Sequence, residues 1–156
     1  MPGIIFSKVI SGGQTGVDRA ALDVALKLGI PCGGWCPKGR KAEDGPIDPK
    51  YPLKETKSAQ YQFRTLANVM EADGTLILTF GTPSGGTAFT IEAALKHKKH
   101  YLVIDLKRKP NPSMVRDWAN MLKIGILNVA GPRESKIPGI YEQAKNLLKG
   151  ILVSKG

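Results

Sequence analysis

Apolar residues recur along this chain in two alternating registers, one suited to buried strands and one to helices. Ile4–Ile10 is a short β-branched run that stops at Gly12-Gly13, which predicts a buried strand ending in a tight turn. From Val17 the apolar positions Val17, Ala20, Ala21, Val24, Ala25 and Leu28 fall at helical spacing, and Gly29 ends that helix. Ile30–Trp35 reads as a second strand. Ala59–Ala72 returns to helical spacing, with Tyr61, Leu66, Val69 and Met70 as expected core residues. Thr75–Phe80 is the cleanest strand, and Gly81–Gly86 breaks it before a helix over Thr87–Lys98. Strands at Tyr101–Leu106 and Ile124–Val129 enclose a helix at Met114–Leu122, and an amphipathic helix at Tyr141–Leu152 closes the pattern.

Five strands alternating with helices predict βαβ units and a parallel sheet covered on both faces. The expectation is a single doubly wound, Rossmann-like α/β domain of three layers spanning residues 1–156. Ligands of such sheets lie beyond the carboxyl ends of the strands, where strand order reverses. An order of 2-1-3-4-5 would bring the loops after strands 1 and 3 side by side. Both are glycine-rich, so this order is favoured over 3-2-1-4-5.

Composition narrows the setting. A 42% hydrophobic chain of this length can bury an ordinary core without disulfides, and its two cysteines are too few for a disulfide framework. The start, Met1-Pro2-Gly3-Ile4-Ile5-Phe6, has no basic leader pattern, and no apolar run is long enough to span a bilayer. A cytoplasmic protein without membrane partners is expected. The net charge of +10 is unevenly placed: residues 1–95 hold ten Lys/Arg against nine Asp/Glu, and residues 96–156 hold thirteen against four. The runs Lys96–His100 and Lys107–Lys109 read as solvated faces rather than as a nucleic-acid surface.

Candidate chemistry concentrates at the turns. The first loop holds Gly12, Gly13, Gln14, Thr15, Gly16, Asp18 and Arg19, where glycines let the backbone approach a ligand and the first helical N–H groups face it. It has neither the dinucleotide glycine spacing nor a Walker A lysine. As a plain turn it would use Thr15 or Asp18 as an N-cap. Ser84, Gly85, Gly86 and Thr87 repeat the design after the third strand, with Thr87 placed to cap the next helix. Cys36–Ser58 lacks periodicity and is long for a connection, a mark of functional loops. From it Lys38, Gly39 and Arg40 would clamp phosphate, while Glu43 and Asp44 would orient Arg40 or meet ring N–H groups. Arg64 and Asn68 share one helix face and point to the same cleft. Cys32, Cys36, His97 and His100 lack convincing zinc spacing, so no metal site is expected. No nucleophile–base pair is evident, so no catalytic residue is assigned.

Together Ser11–Asp23, Gly33–Pro46, Tyr51-Pro52-Leu53, Arg64-Thr65, Asn68-Val69 and Ser84–Thr87 resemble the molybdenum carrier (molybdenum-cofactor carrier) family. That family sits in a Rossmann-like superfamily with the lysine-decarboxylase-like "Lonely guy" proteins and DprA. The resemblance covers residues 5–106; the remainder matches as generic α/β continuation, and Ala67 stands where the family pattern would place a bulky aromatic. It implies a cytoplasmic homo-oligomer that binds and protects molybdenum cofactor (molybdopterin), a phosphorylated pterin, with molybdoenzymes as recipients. A carrier role needs no catalytic group. Two alternatives stay open: a phosphoribohydrolase-like nucleotide-processing enzyme, with Glu92 near the ribose, and a nucleotide-sensing or nucleic-acid-binding module. Against hydrolysis, Ser84–Glu92 keeps the Gly-Gly pair and a Glu but lacks the second Gly-Thr spacing of the phosphoribohydrolase motif.

Overall fold

Strand β5 (Gly74–Thr79) is buried at every position because it has a parallel neighbour on each side and helices on both faces. The computed structural model describes residues 6–153. Around β5 it assembles β1 (Lys8–Ile10), α1 (Val17–Leu28), β2 (Cys32–Gly33), β3 (Trp35–Cys36), β4 (Lys54–Glu55) and α2 (Tyr61–Glu71). After β5 come α3 (Gly85–Lys96), β6 (His100–Asp105), a 3-10 turn at Leu106–Arg108, α4 (Pro112–Met121), β7 (Ile126–Ala130) and α5 (Ile140–Leu152). The doubly wound α/β architecture is as expected. Ile4 and Ile5 of the expected first strand lie outside the described residues.

The strand order differs from the expectation. The main sheet runs β2-β1-β7-β5-β6, all parallel, so the last strand in the chain sits between the two that carry the glycine-rich loops. Counted from β5 instead of β1, the same sheet reads 2-1-3-4-5. The doubly wound pattern is kept, but the chain enters it at a different strand. Local periodicity cannot reveal this, since it describes each element and not its neighbour.

Right-handed crossovers then fix the layers. Connections running toward β2 or back to β7 put α1 and α4 on one face, where α5 packs against both. Val9, Leu76, Leu78, Leu127 and Val129 point to that side and form the main core with Val24, Leu148 and Ile151. The opposite face carries only α2 and α3, joined through Val69, Ala93 and Ala94 with Leu66 and Tyr101 alongside. That smaller core leaves space above β7. Met70, expected inside, is exposed, and Tyr61 is half-buried at the start of its helix. Among the described residues no helix is long and apolar enough to cross a membrane.

The expected second strand, Ile30–Trp35, is split at Gly34. There φ is +121°, and a Cβ would press on the Ser11 backbone, 2.9 Å from its nitrogen, so only glycine fits. Beyond it the chain leaves the main sheet, and β3 pairs with β4. Asn68 of α2 compensates for the lost neighbour: its Oδ1 accepts from the Trp35 N–H at 2.8 Å and its Nδ2 donates to the Trp35 carbonyl at 2.9 Å. The Trp35 ring N–H donates to Glu71 at 3.0 Å on the same helix.

Because Asn68 is 2% exposed, Asn68→Ala leaves both Trp35 backbone groups without their partner. The expected loss is about 2–4 kcal/mol, from two hydrogen bonds and their desolvation. Urea unfolding of Asn68→Ala beside Asn68→Asp, which keeps only the acceptor, measures it; equal stability of parent and Asn68→Ala would contradict the clamp.

Candidate functional site

The loop after β1 folds around its own side chains. The Ser11 hydroxyl donates to the Asp18 carbonyl at 3.0 Å and accepts from the Gly13 N–H at 3.3 Å. Helix α1 starts at Val17 with Gly16 at the cap position and no side-chain cap; its first N–H, from Val17, donates to the Pro132 carbonyl beyond β7 at 3.2 Å. Neither Thr15 nor Asp18 is therefore the N-cap. Asp18 Oδ2 instead accepts from the Gln14 N–H at 3.3 Å.

Arg64 crosses from α2 to this loop. Its Nη1 donates to the Gly12 carbonyl at 2.8 Å and stands 3.5 Å from Asp18 Oδ2, and its Nε donates to Thr65 Oγ1 at 3.2 Å. A side chain at Gly12 would overlap this guanidinium, its Cβ only 2.7 Å from Cζ. Burial pushes the Asp18 carboxyl up to about 6, against the opposing pull of Arg64, the Gln14 N–H and Arg19. Desolvation outweighs an ion pair that is long, at 3.5 Å.

The long loop is held down rather than aimed into the cleft. Arg40 donates to four backbone carbonyls, those of Ile47, Asp48, Tyr51 and Leu53, and so closes its own loop. Gly39 donates its N–H to Glu55 at 2.6 Å. Arg19 grips the Gly13 carbonyl and the Asp44 carboxylate together, and those bonds keep Asp44 below the usual carboxylate range. Burial would raise the Glu43 carboxyl, but hydrogen bonds from Ser135 and Thr15 outweigh it and hold it low.

Beyond the carboxyl ends of β1, β7 and β5 lies a cavity of about 430 Å³. Nine expected residues line it: Gly12, Gln14 and Asp18 from the first loop, Arg64 and Asn68 from α2, and Ser84, Gly85, Gly86 and Thr87 at the start of α3. Gly13, Thr15, Gly16, Arg19, Lys38, Gly39, Arg40, Glu43 and Asp44 do not line it. Thr15, Gly16 and Arg19 face a shallower cleft on the other side of the loop, with Asp23, Tyr51 and Tyr141. Helix α3 begins at Gly85 with Ser84 at the cap position, so Thr87 lies in the first turn and not at the cap.

Sequence reasoning missed the segment after β7. Gly131, Pro132, Arg133 and Lys136 line the cavity, and Asn128 in β7 lies on its floor, its Nδ2 donating to Thr75 at 3.3 Å. The signal was present, since Gly131-Pro132-Arg133 also follows a strand with a glycine and a cation. It was absorbed into the basic C-terminal third because strand order, not charge, places it here. The Lys136 ammonium stands 3.0 Å from where a Cβ would be on Gly85. Glu92 is exposed on α3 and does not line the cavity.

The family model described as the circularly permutated YpsA SLOG family matches residues 9–152. A crystal structure of a "Putative molybdenum carrier protein" from Syntrophus aciditrophicus SB is 45% identical, covers 98% of each chain and superposes with a TM-score of 0.94. No curated protein matches the chain.

The Asp18 carboxyl yields a test. A folded value of about 6 lies above the ordinary aspartate range, so the native state keeps a proton that the unfolded chain releases. Stability from this group is full below about pH 4 and is lost as pH rises toward 6, by about 2–3 kcal/mol at most. Asp18→Asn removes that dependence. The urea midpoint of the variant minus that of the parent should therefore grow between pH 4 and 7; a constant difference would mean that Asp18 titrates normally.

Proposed function

Within the circularly permutated YpsA SLOG family, to which this chain belongs, we propose that the protein binds a phosphate-bearing small molecule in the cavity between α2 and α3. The observation that carries this reading is a cluster of positive groups around one space. The Lys136 ammonium lies over the first turn of α3, whose Gly85 and Gly86 N–H groups have no protein acceptor among the described residues. A lysine at a helix N-terminus opposes the helix dipole, which places roughly half a positive charge there. An anion between them turns that repulsion into two attractions. Arg64 and Arg133 line the same cavity, and the cavity volume falls within the roughly 300–1,000 Å³ of small-molecule sites.

The ligand we propose is molybdenum cofactor, held as cargo by a carrier and passed to molybdoenzymes. The 45%-identical structure bearing the molybdenum-carrier name supports it, as do the resembling segments from Ser11 to Thr87. The phosphate would meet Lys136, Arg133 and the α3 N-terminus. Asp18 and Asn128 offer hydrogen bonds suited to a polar ring. A carrier gains from many modest contacts that exclude water and requires no proton transfer. The hydrolase alternative would need a glutamate near the ribose, and Glu92 lies outside the cavity. A cytoplasmic homo-oligomer is part of the proposal: α3 leaves Leu95 exposed and α2 leaves Phe63 and Met70 exposed, apolar surface of the kind that subunit contacts cover.

A Cβ at Gly86 meets nothing within 4 Å, so Gly86→Val folds and obstructs only the approach to α3. Gly86→Val and Lys136→Met should each weaken phosphate-ligand binding at least about tenfold, or 1.4 kcal/mol. Protein from a cofactor-producing host should retain stoichiometric pterin after mild purification and slow the loss of cofactor activity. Sustained release of free base from nucleoside monophosphates, abolished in Glu92→Gln and with no pterin retained, would replace the carrier with the hydrolase.

A further inference from the structure

We propose that Glu43 is a positioning residue for the anion site, setting Arg133 at the cavity through one carboxylate; this rests on the phosphate reading above. Glu43 does not line the cavity, yet it ties together two of the segments that do. Its Oε2 accepts from the Thr15 hydroxyl, in the loop after β1, and from the Ser135 N–H at 3.1 Å, in the loop after β7. Its Oε1 accepts from the Ser135 hydroxyl at 2.5 Å and stands 3.7 Å from Arg133 Nε. The Glu43 N–H in turn donates to Gln14 Oε1 at 2.9 Å, and both Gln14 and Arg133 line the cavity.

The residues beside it pull the same way. Asp44 is held by Arg19, and the Lys41 ammonium sits 5.1 Å from the centre of the Tyr61 ring, itself on the cavity wall. Residues 41–44 thus form a strap laid across the outside of the site.

A carboxylate suits this point for a reason of valence. Both oxygens only accept, and each faces donors from two residues. A glutamine would turn an N–H₂ toward one of those donor pairs and push the β7 loop away. Arg133 is the exposed member, with its side chain 48% open to solvent, and the Glu43 carboxylate orients it before any ligand arrives. An arginine already ordered loses less rotamer freedom when an anion binds. Removing the negative charge would by itself strengthen anion binding. The converging donors already offset that charge, so loss of orientation dominates.

The test is a double-mutant cycle read by calorimetric titration with inorganic phosphate at low salt. Glu43→Gln and Arg133→Met should each lower affinity at least about threefold, and the double variant should bind no worse than Arg133→Met alone. Ser135→Ala, which removes a donor and leaves the carboxylate, should lower affinity by a smaller factor, again only while Arg133 is present; it carries the cycle if Glu43→Gln does not fold. Unchanged affinity in Glu43→Gln, or the same fold-loss with and without Arg133, would reduce Glu43 to a loop tether and overturn the proposal. A parent protein that takes up no phosphate overturns the anion reading itself, a result distinct from either.

Discussion

A right-handed crossover between parallel strands leaves little freedom in where its helix goes. With β7 seated between β1 and β5, the chain must send α1, α4 and α5 to one face and α2 and α3 to the other. Three helices fill one side with Leu, Ile and Val. Two helices bearing Val, Ala and Thr cannot cover the second side over β7, and the cavity occupies what remains. The site is a consequence of strand order before it is a consequence of any motif.

That origin explains the chemistry of the floor. Asn128 and Thr75 occupy positions where a fully covered sheet would carry Val or Ile, and they satisfy each other by a hydrogen bond. At the rim Asp18 is likewise buried and Arg64 partly so, and the carboxyl pays for its position with a raised affinity for protons. A buried pair at 3.5 Å contributes little to stability, since the loss of hydration offsets most of its attraction. What it contributes is placement: Arg64 is fixed against the Gly12 carbonyl, leaving its Nη2 without an acceptor among the described residues.

Much of this was legible in the sequence, and the limits of legibility have a common cause. Glycine-rich turns, helix starts and strand periodicity are local, so the two glycine loops and the doubly wound class could be read directly. Pairing is not local. The order 2-1-3-4-5 sets two similar loops side by side, whereas β7 lies between the strands that carry them. The same error hid Arg133 and Lys136, which looked like part of a solvated basic surface. Arg40 misled in another way: its charge suggested a phosphate, but a loop with few regular hydrogen bonds left four backbone carbonyls for it to satisfy.

A permuted order also bears on how the site keeps its shape. When the strand between two glycine-rich loops arrives last in the chain, those loops gain their central support only after β7 docks. The contacts that bind β7's loop to its neighbours are few and specific: the Val17 N–H to the Pro132 carbonyl, the Glu134 N–H to Thr15, and the Ser135 bonds to Glu43. Gly131 has no room for a side chain, since its Cβ would fall 2.6 Å from Val17 Cγ2, so the loop must lie flat against the start of α1. Arg133 and Lys136 are carried into place by this docking. Cations supplied by the loop after β7, glycines supplied by the loops after β1 and β5, and a strap from the long loop across them make the cavity a joint product of distant segments. On the proposed anion reading, affinity would be coupled to the integrity of the whole sheet, and a substitution that loosens β7 should weaken binding even where it touches no ligand.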